Sequence, residues 1–300
     1  MAKKDVTTKV LEDYGDVFAD IYNTLVFKEN VVGENELSAG PTLSQYKSDD
    51  GYRAQERDII KSWHNKSGLA ICSLGAENQT TIDRVMPVRV MSYDAAEYQR
   101  QLKHEERLRP VVTIVLNFNE RRWEKPKSLL GLMHVPTQIR GLVQDYRIMV
   151  YDIAYLDDHV IESFRSDFKV VAKFFKHRRL GTEHIALQDE TELKHVGEVL
   201  GMLSAFTGDN RYERAYEEHL KERAERGEKI AVCNGIQYWE DLGRKEGREE
   251  GREEGRQEGR QEGADEQRLV AIRNMIKYNV SKAQILQDYS EEEYERAQEG

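Results

Sequence analysis

Residues 111–118 read VVTIVLNF, an apolar run without the in–out alternation of a strand that has one wet face. Such a run is stable only where both faces are covered, as in a sheet flanked by helices. It is also far too short to span a bilayer. Residues 147–154, RIMVYDIA, repeat the pattern. A third segment, residues 69–79, is apolar as far as Ala76 and turns polar at Glu77, as expected of a buried strand whose end opens into a cleft. It follows another extended segment, 52–63, across a polar turn that ends in Gly68. Helical spacing marks residues 10–27, 86–102 (with Pro87 in the first turn), 160–177, 191–207 and 211–226, and the stretch 29–50, broken at Pro41, reads as a loop. This order predicts an α/β fold, an α/β/α sandwich around a small mixed sheet.

The composition changes at Gly243 into a four-residue repeat, GRKE, GREE twice, GRQE twice and GADE, which has no bulky apolar side chain to offer a core. Four residues nearly match one helical turn, so glycine forms a slowly drifting stripe, with weak support from i,i+3 pairs such as Glu249–Arg252 and Glu253–Arg256. The spacing predicts a frayed, solvated helical rod or a spacer. The predicted organisation is a catalytic-type domain over 1–240, the repeat over 241–266, and a small helical unit over 267–300 whose SKAQ and SEEE segments, at Ser281 and Ser290, have capping-box form. Residues 241–263 carry six basic and eight acidic groups, which makes the repeat a poor phosphate binder. A protein partner, self-regulation of the catalytic domain and a homodimer are the roles open to the tail.

The two cysteines, Cys72 and Cys233, lie far apart and suit a reducing compartment. With no apolar leader in the first residues and no membrane-length run, the expectation is a cytoplasmic protein with no membrane partner. The net charge of −10 excludes a basic coat protein, so a polyanion such as DNA has to be met through a local patch and divalent cations. The histidines form no HExxH, and GxxxxGK[ST] and GxSxG are absent, which argues against a zinc hydrolase, a Walker-type ATPase and a serine hydrolase.

Chemistry concentrates at Asp58, Glu77 and Gln79. Alternation puts Glu77 and Gln79 on one strand face, and a hairpin of the two segments lets Asp58 face them. Two carboxylates at a strand end, with room for water, are what Mg²⁺ or Mn²⁺ requires, and a metal held there suits phosphodiester hydrolysis. The segments 16–20 (DVFAD), 55–58 (QERD), 75–83 (GAENQTTID), 86–94 (MPVRVMSYD), 110–118 (PVVTIVLNF) and 203–212 (LSAFTGDNRY) resemble the Rpn, or YhgA-like, family of recombination-promoting nucleases and transposase-like proteins, over about residues 10–230.

The resemblance implies a PD-(D/E)xK nuclease core of restriction-endonuclease type that cuts DNA with a divalent metal, linked to recombination or mobile elements. Carried over by position, Asp58 matches the motif's aspartate, Glu77 its acidic residue, and Gln79 the place usually held by lysine. Asp58 and Glu77 are then the metal ligands. Glutamine can hydrogen-bond an attacking water but carries no charge, so Lys61, Arg89 or a second metal is expected to supply it. Supporting candidates are Asp16 and Asp20 (with Asn23) on the first helix, Glu56 two residues before Asp58, and Arg89, Tyr93 and Gln99 on the next helix. The alternative is a catalytically weakened nuclease fold that serves as a DNA-binding or protein-interaction module.

Overall fold

The computed structural model describes residues 3–48, 51–104 and 107–299. Its contacts divide the chain into two units, Met1–Tyr238 and Trp239–Gly300.

The first unit is built on a five-stranded sheet in the order β1-β4-β5-β6-β7, where β1 is Leu37–Ala39, β4 Ile59–His64, β5 Ala70–Gln79, β6 Val111–Asn117 and β7 Met149–Asp152. β1, β4 and β5 are antiparallel neighbours, while β5, β6 and β7 run parallel. β5 is thus the seam between a hairpin half and a crossover half, and α3 (Met86–Lys103) provides the crossover from β5 to β6. The predicted α/β class and mixed sheet are the observed ones. The turn before β5 is held by Asn65, whose side-chain oxygen accepts from the N–H groups of Ser67 and Leu69, and Gly68 takes a left-handed conformation (φ 77°).

Alternation along β5 sets the two faces. Ser73 and Glu77 meet α3 through Glu97 and Arg89. Asn78 reaches Glu12 on α1 (Lys3–Glu12), and the Tyr22 hydroxyl of α2 (Gly15–Tyr22) lies 2.6 Å from the Gly75 carbonyl and 2.8 Å from that of Val112, at the β5–β6 seam. On the α3 side, Met86, Val90, Val115, Trp123 and Ile148 form one buried cluster. An aromatic core joins Phe118, just past β6, to Phe168 and Phe175 of α5 (Phe168–Leu180) and to Phe206 of α7 (Val196–Thr207). The short helices α4 (Asp158–Ser163), α6 (Glu183–Ala186), α8 (Arg211–Ala215) and α9 (Lys221–Glu225) complete this unit.

The structure redraws several boundaries. Residues 52–63 are two strands in different sheets: β3 (Gly51–Glu56) pairs with β2 (Leu43–Ser48) as a separate ribbon, and the chain then turns at Arg57 and Asp58 into β4. The stretch 29–50 therefore contains β1 and β2, and its last two residues lie outside the described ones. The first helical stretch breaks between Glu12 and Gly15 and ends in a π turn, Asn23–Phe27. The stretch 160–177 divides at Ser163 because Asp20 draws in the backbone N–H groups of Arg165 and Ser166 (2.8 and 2.7 Å). Helix α7 begins at Val196 because the Asp167 carboxylate holds the N–H groups of Lys194 and His195 just before it.

α10 (Val232–Lys277) is helical through the whole repeat. Near its end, Ile272 packs with Ile285 of α11 (Lys282–Ile285) and Ala297 of α12 (Glu291–Glu299) in a small core. At Ser290 the capping box is closed in both directions, with Ser290 N–H on Glu293 Oε2 (2.7 Å) and Glu293 N–H on Ser290 Oγ (3.2 Å). A methyl group added at Gly247, Gly251 or Gly255 meets nothing within 4 Å. Alanine at these positions is therefore expected to add about 0.5–1 kcal/mol of helix stability per site, read as a gain in far-ultraviolet circular dichroism on heating. An unchanged melting profile in the triple variant would show that something other than solvent limits the helix there.

Candidate functional site

Asp58 sits where the chain leaves the β2–β3 ribbon and enters β4, one step beyond the Ile59–Ala76 pair of the β4–β5 hairpin. That step brings it opposite Glu77. The two acids fasten each other's strands: Asp58 N–H donates to Glu77 Oε1 (3.2 Å), and Asn78 N–H donates to Asp58 Oδ2 (2.7 Å). Lys9 of α1 pairs with the other Asp58 oxygen at 2.7 Å. Asp58 borders a cleft of about 430 Å³, lined also by Lys9, Asp13, Tyr14 and Thr42.

Glu77 lies behind Asp58 and is fully buried. Its second oxygen, Oε2, has no hydrogen-bond partner among the described residues, and the Arg89 guanidinium stands 3.9 Å away. Burial, aided by the Asp58 charge, pushes the Glu77 carboxyl up to about 8. Glu12 behaves alike. Its Oε2 accepts from the Asn78 amide at 2.6 Å, its Oε1 is unpartnered, and burial lifts it to about 8. Lys9 is held above its ordinary value: burial works against its charge, and Asp58, with Glu56 and Glu77 behind it, outweighs that. An unsatisfied carboxylate oxygen in a dry strand end costs stability unless a proton or a cation joins it.

The pH consequence has a definite sign. Glu12 and Glu77 keep their protons in the folded state up to about pH 8, whereas the unfolded chain releases them near the ordinary carboxylate value of 4.5. Their contribution is complete below about pH 4.5 and is lost as pH rises through about 8. Melting temperature in EDTA is expected to fall between about pH 6 and about pH 9 and to fall less in Glu12→Gln. A flat wild-type profile would contradict the burial argument.

Gln79 is buried on the α3 face, and its amide donates to the Asn78 carbonyl at 2.9 Å, folded back on its own strand. Arg89 bonds Asp83 (3.1 Å) and the Tyr93 hydroxyl (3.3 Å), so Arg89 and Tyr93 form a wall beside Glu77. Other candidates lie elsewhere. Asp16 engages His195 and Lys194 on the far side of α2, and Asp20 anchors the turn before α5. Asn23 holds the backbone of Val31 and Val32. Lys61 is taken up by Asp13 at 2.6 Å, so it does not stand in for the motif lysine. Glu56 ends β3 in the other sheet, exposed, and shares no strand with Asp58. Gln99 is exposed, because α3 turns Glu97 and Gln101 inward at that end.

The first-helix groups that do reach the strand end are Lys9 and Glu12, which sequence reasoning missed. Arg57 and Asp94 were missed as well. Arg57 Nη2 donates to Asp94 Oδ1 at 2.8 Å in the interior, and the guanidinium lies over the Tyr93 ring. Gly75 makes the room, since a Cβ there would meet Thr113 Oγ1 at 2.8 Å and Arg57 Nη1 at 3.2 Å. The available signal was spacing: Met86, Val90, Asp94, Glu97 and Gln101 recur at three- and four-residue steps, an inward helix stripe that turns polar.

Among the described residues, no group of three or more Asp, Glu, His or Cys side chains is placed to hold a metal ion, and no helix is long and apolar enough to cross a membrane. No curated protein and no solved structure matches the chain. The family described as "Putative transposase, YhgA-like" matches residues 48–197, which span Asp58, Glu77, Gln79 and α3 but not the α1 that carries Lys9 and Glu12. With half of its length matched, and with the strand pair and crossover helix inside the match, the chain belongs to the YhgA-like transposase family.

Proposed function

We propose that the chain is a divalent-metal-dependent endonuclease that hydrolyses phosphodiester bonds in DNA, in the service of recombination or mobile elements. The observation that carries the reading is Glu77 Oε2, a buried carboxylate oxygen without a hydrogen-bond partner, beside Asp58 at a strand end. Two carboxylates completed by water suit Mg²⁺ or Mn²⁺, which is commonly held by one or two carboxylates. Asp58 and Glu77 would hold it. The bound ion would supply Lewis acidity at the phosphate and a water of lowered pKa.

The chain's own groups do the rest. The Lys9 ammonium provides the positive charge that Gln79 lacks, close to Asp58 and open to the cleft. Arg89 screens Glu77 and faces the charge that a phosphate brings. Gln79 stiffens the strand end through its bond to the Asn78 carbonyl, a positioning role. Incubation of supercoiled plasmid with Mg²⁺, with and without EDTA, tests the reading: nicking that disappears in EDTA and in Asp58→Asn is expected, and cleavage that survives both would overturn the assignment.

A second reading, a weakened nuclease fold used for binding, draws on the folded-back Gln79 amide and the small ligand set. It predicts no Mn²⁺-dependent rise in melting temperature.

A further inference from the structure

Where β5 and β6 end, the chain opens another cleft, of about 610 Å³, that the proposed chemistry does not use. Thr80, the residue after Gln79, and Asn119, just past β6, both border it, and the Asn119 amide ties the two strand ends by donating to the Thr80 carbonyl at 2.8 Å. Arg121, Arg178 and Arg179 line it with Tyr155. The Tyr155 ring is flanked by two guanidiniums, Arg122 at 4.6 Å and Arg179 at 4.4 Å from its centroid.

These cations are built in. Arg179 Nε donates to the Ala154 carbonyl at 2.8 Å, and Arg178 is fixed by the Phe206 carbonyl and by Glu120 at 2.7 Å. Glu120 is the one carboxylate on the cleft's lining. Among the described residues Arg121 and Arg122 make no ion pair, and both are exposed. Three guanidiniums against one carboxylate on the lining, with Arg122 beside them over Tyr155, is a local reversal of sign in a chain of net charge −10. Like charges gathered so closely repel until an anion joins them, and the guanidinium fork matches phosphate oxygens in pairs. Glu77 lies in β5 and Thr80 is the residue just past its end, three residues on, about 10 Å at about 3.3 Å per extended residue. This corresponds to about three base steps of roughly 3.4 Å.

We propose that this cleft grips the phosphodiester backbone of duplex DNA about three base steps from the bond to be cut. The choice of partner rests on the DNA-nuclease reading. Binding of a fluorescent duplex, followed by anisotropy in EDTA so that nothing is cleaved, tests the cleft apart from the chemistry. The double variant Arg121→Glu/Arg122→Glu, at two exposed positions and checked for an unchanged melting temperature, is expected to bind about ten-fold or more weakly and to lose about one to two units of salt slope. Arg121→Lys/Arg122→Lys should retain most of the affinity, and Glu77→Gln should bind like wild type. Equal binding by the Glu double variant, or no duplex binding by wild type, would overturn the cleft. Binding that depends on these arginines in a wild type that never cuts would uphold it while removing the nuclease reading.

Discussion

Glu77→Gln is expected to lose plasmid cleavage by at least about a hundred-fold, since even outer partners of metal ligands are worth about ten- to a hundred-fold. The same variant is expected to fold at least as stably as wild type. Glutamine keeps an oxygen to accept the Asp58 N–H and fills the same volume, while it removes a carboxyl that burial already pushes up to about 8. Above about pH 8, where wild type has to carry a buried charge, the substitution should raise the melting temperature in EDTA and abolish the further rise on adding Mn²⁺. Loss of cleavage together with a gain in stability separates a functional carboxylate from a structural one. A variant that unfolds early, or one that still cuts, would contradict the assignment.

The largest stability effect is expected at Asp94. Its carboxylate accepts from Arg57 at 2.8 Å, from Thr113 at 2.6 Å and from the Tyr146 hydroxyl, all within the α3 side of the core. Arg57 is only 3 % exposed, and its Nη1 already lacks a hydrogen-bond partner. Asp94→Ala leaves a buried guanidinium without its counter-charge, and breaking one side of a buried pair costs roughly 3–5 kcal/mol. Measured against a typical domain stability of about 5–15 kcal/mol, this removes much of the margin. Asp94→Asn, which keeps an acceptor but no charge, should cost less. Urea unfolding of both variants tests the order, and a loss under about 1 kcal/mol in Asp94→Ala would show that the pair is not what secures Arg57. Because Arg57 precedes Asp58, cleavage should fall with stability.

The strands were legible where burial writes a continuous pattern. Residues 111–118 and the end of the apolar run at Ala76 place β5 and β6, and Pro87 places the start of α3. The break at Arg57 and Asp58 was not legible, because the QERD segment contains neither glycine nor proline and the turn is held by distant groups such as the Thr42 carbonyl, which accepts from Arg57 N–H at 3.0 Å. Of the site, Asp58 and Glu77 were readable as a hairpin pair. Lys9 and Glu12 were not, since their approach depends on how α1 lies against β5, a tertiary arrangement with no local spacing signal. Asp16 and Asp20 look equally suitable on a helical wheel. They turn instead to His195 and to Ser166, because α2 is a separate helix with its own inward face.

The fastening of β4 to β5 by two acids also bears on how relatives of this chain can be read. A relative that cuts nothing would still gain from an acceptor at each of these two places, because each holds a backbone N–H of the neighbouring strand. At position 77 a glutamine would serve that purpose as well and would spare the chain a buried charge. On the proposed reading, retention of glutamate there, rather than of a mere acceptor, would mark a copy that binds a cation, and the choice between the two amino acids would then separate cleaving relatives from non-cleaving ones more sharply than the presence of the whole motif does.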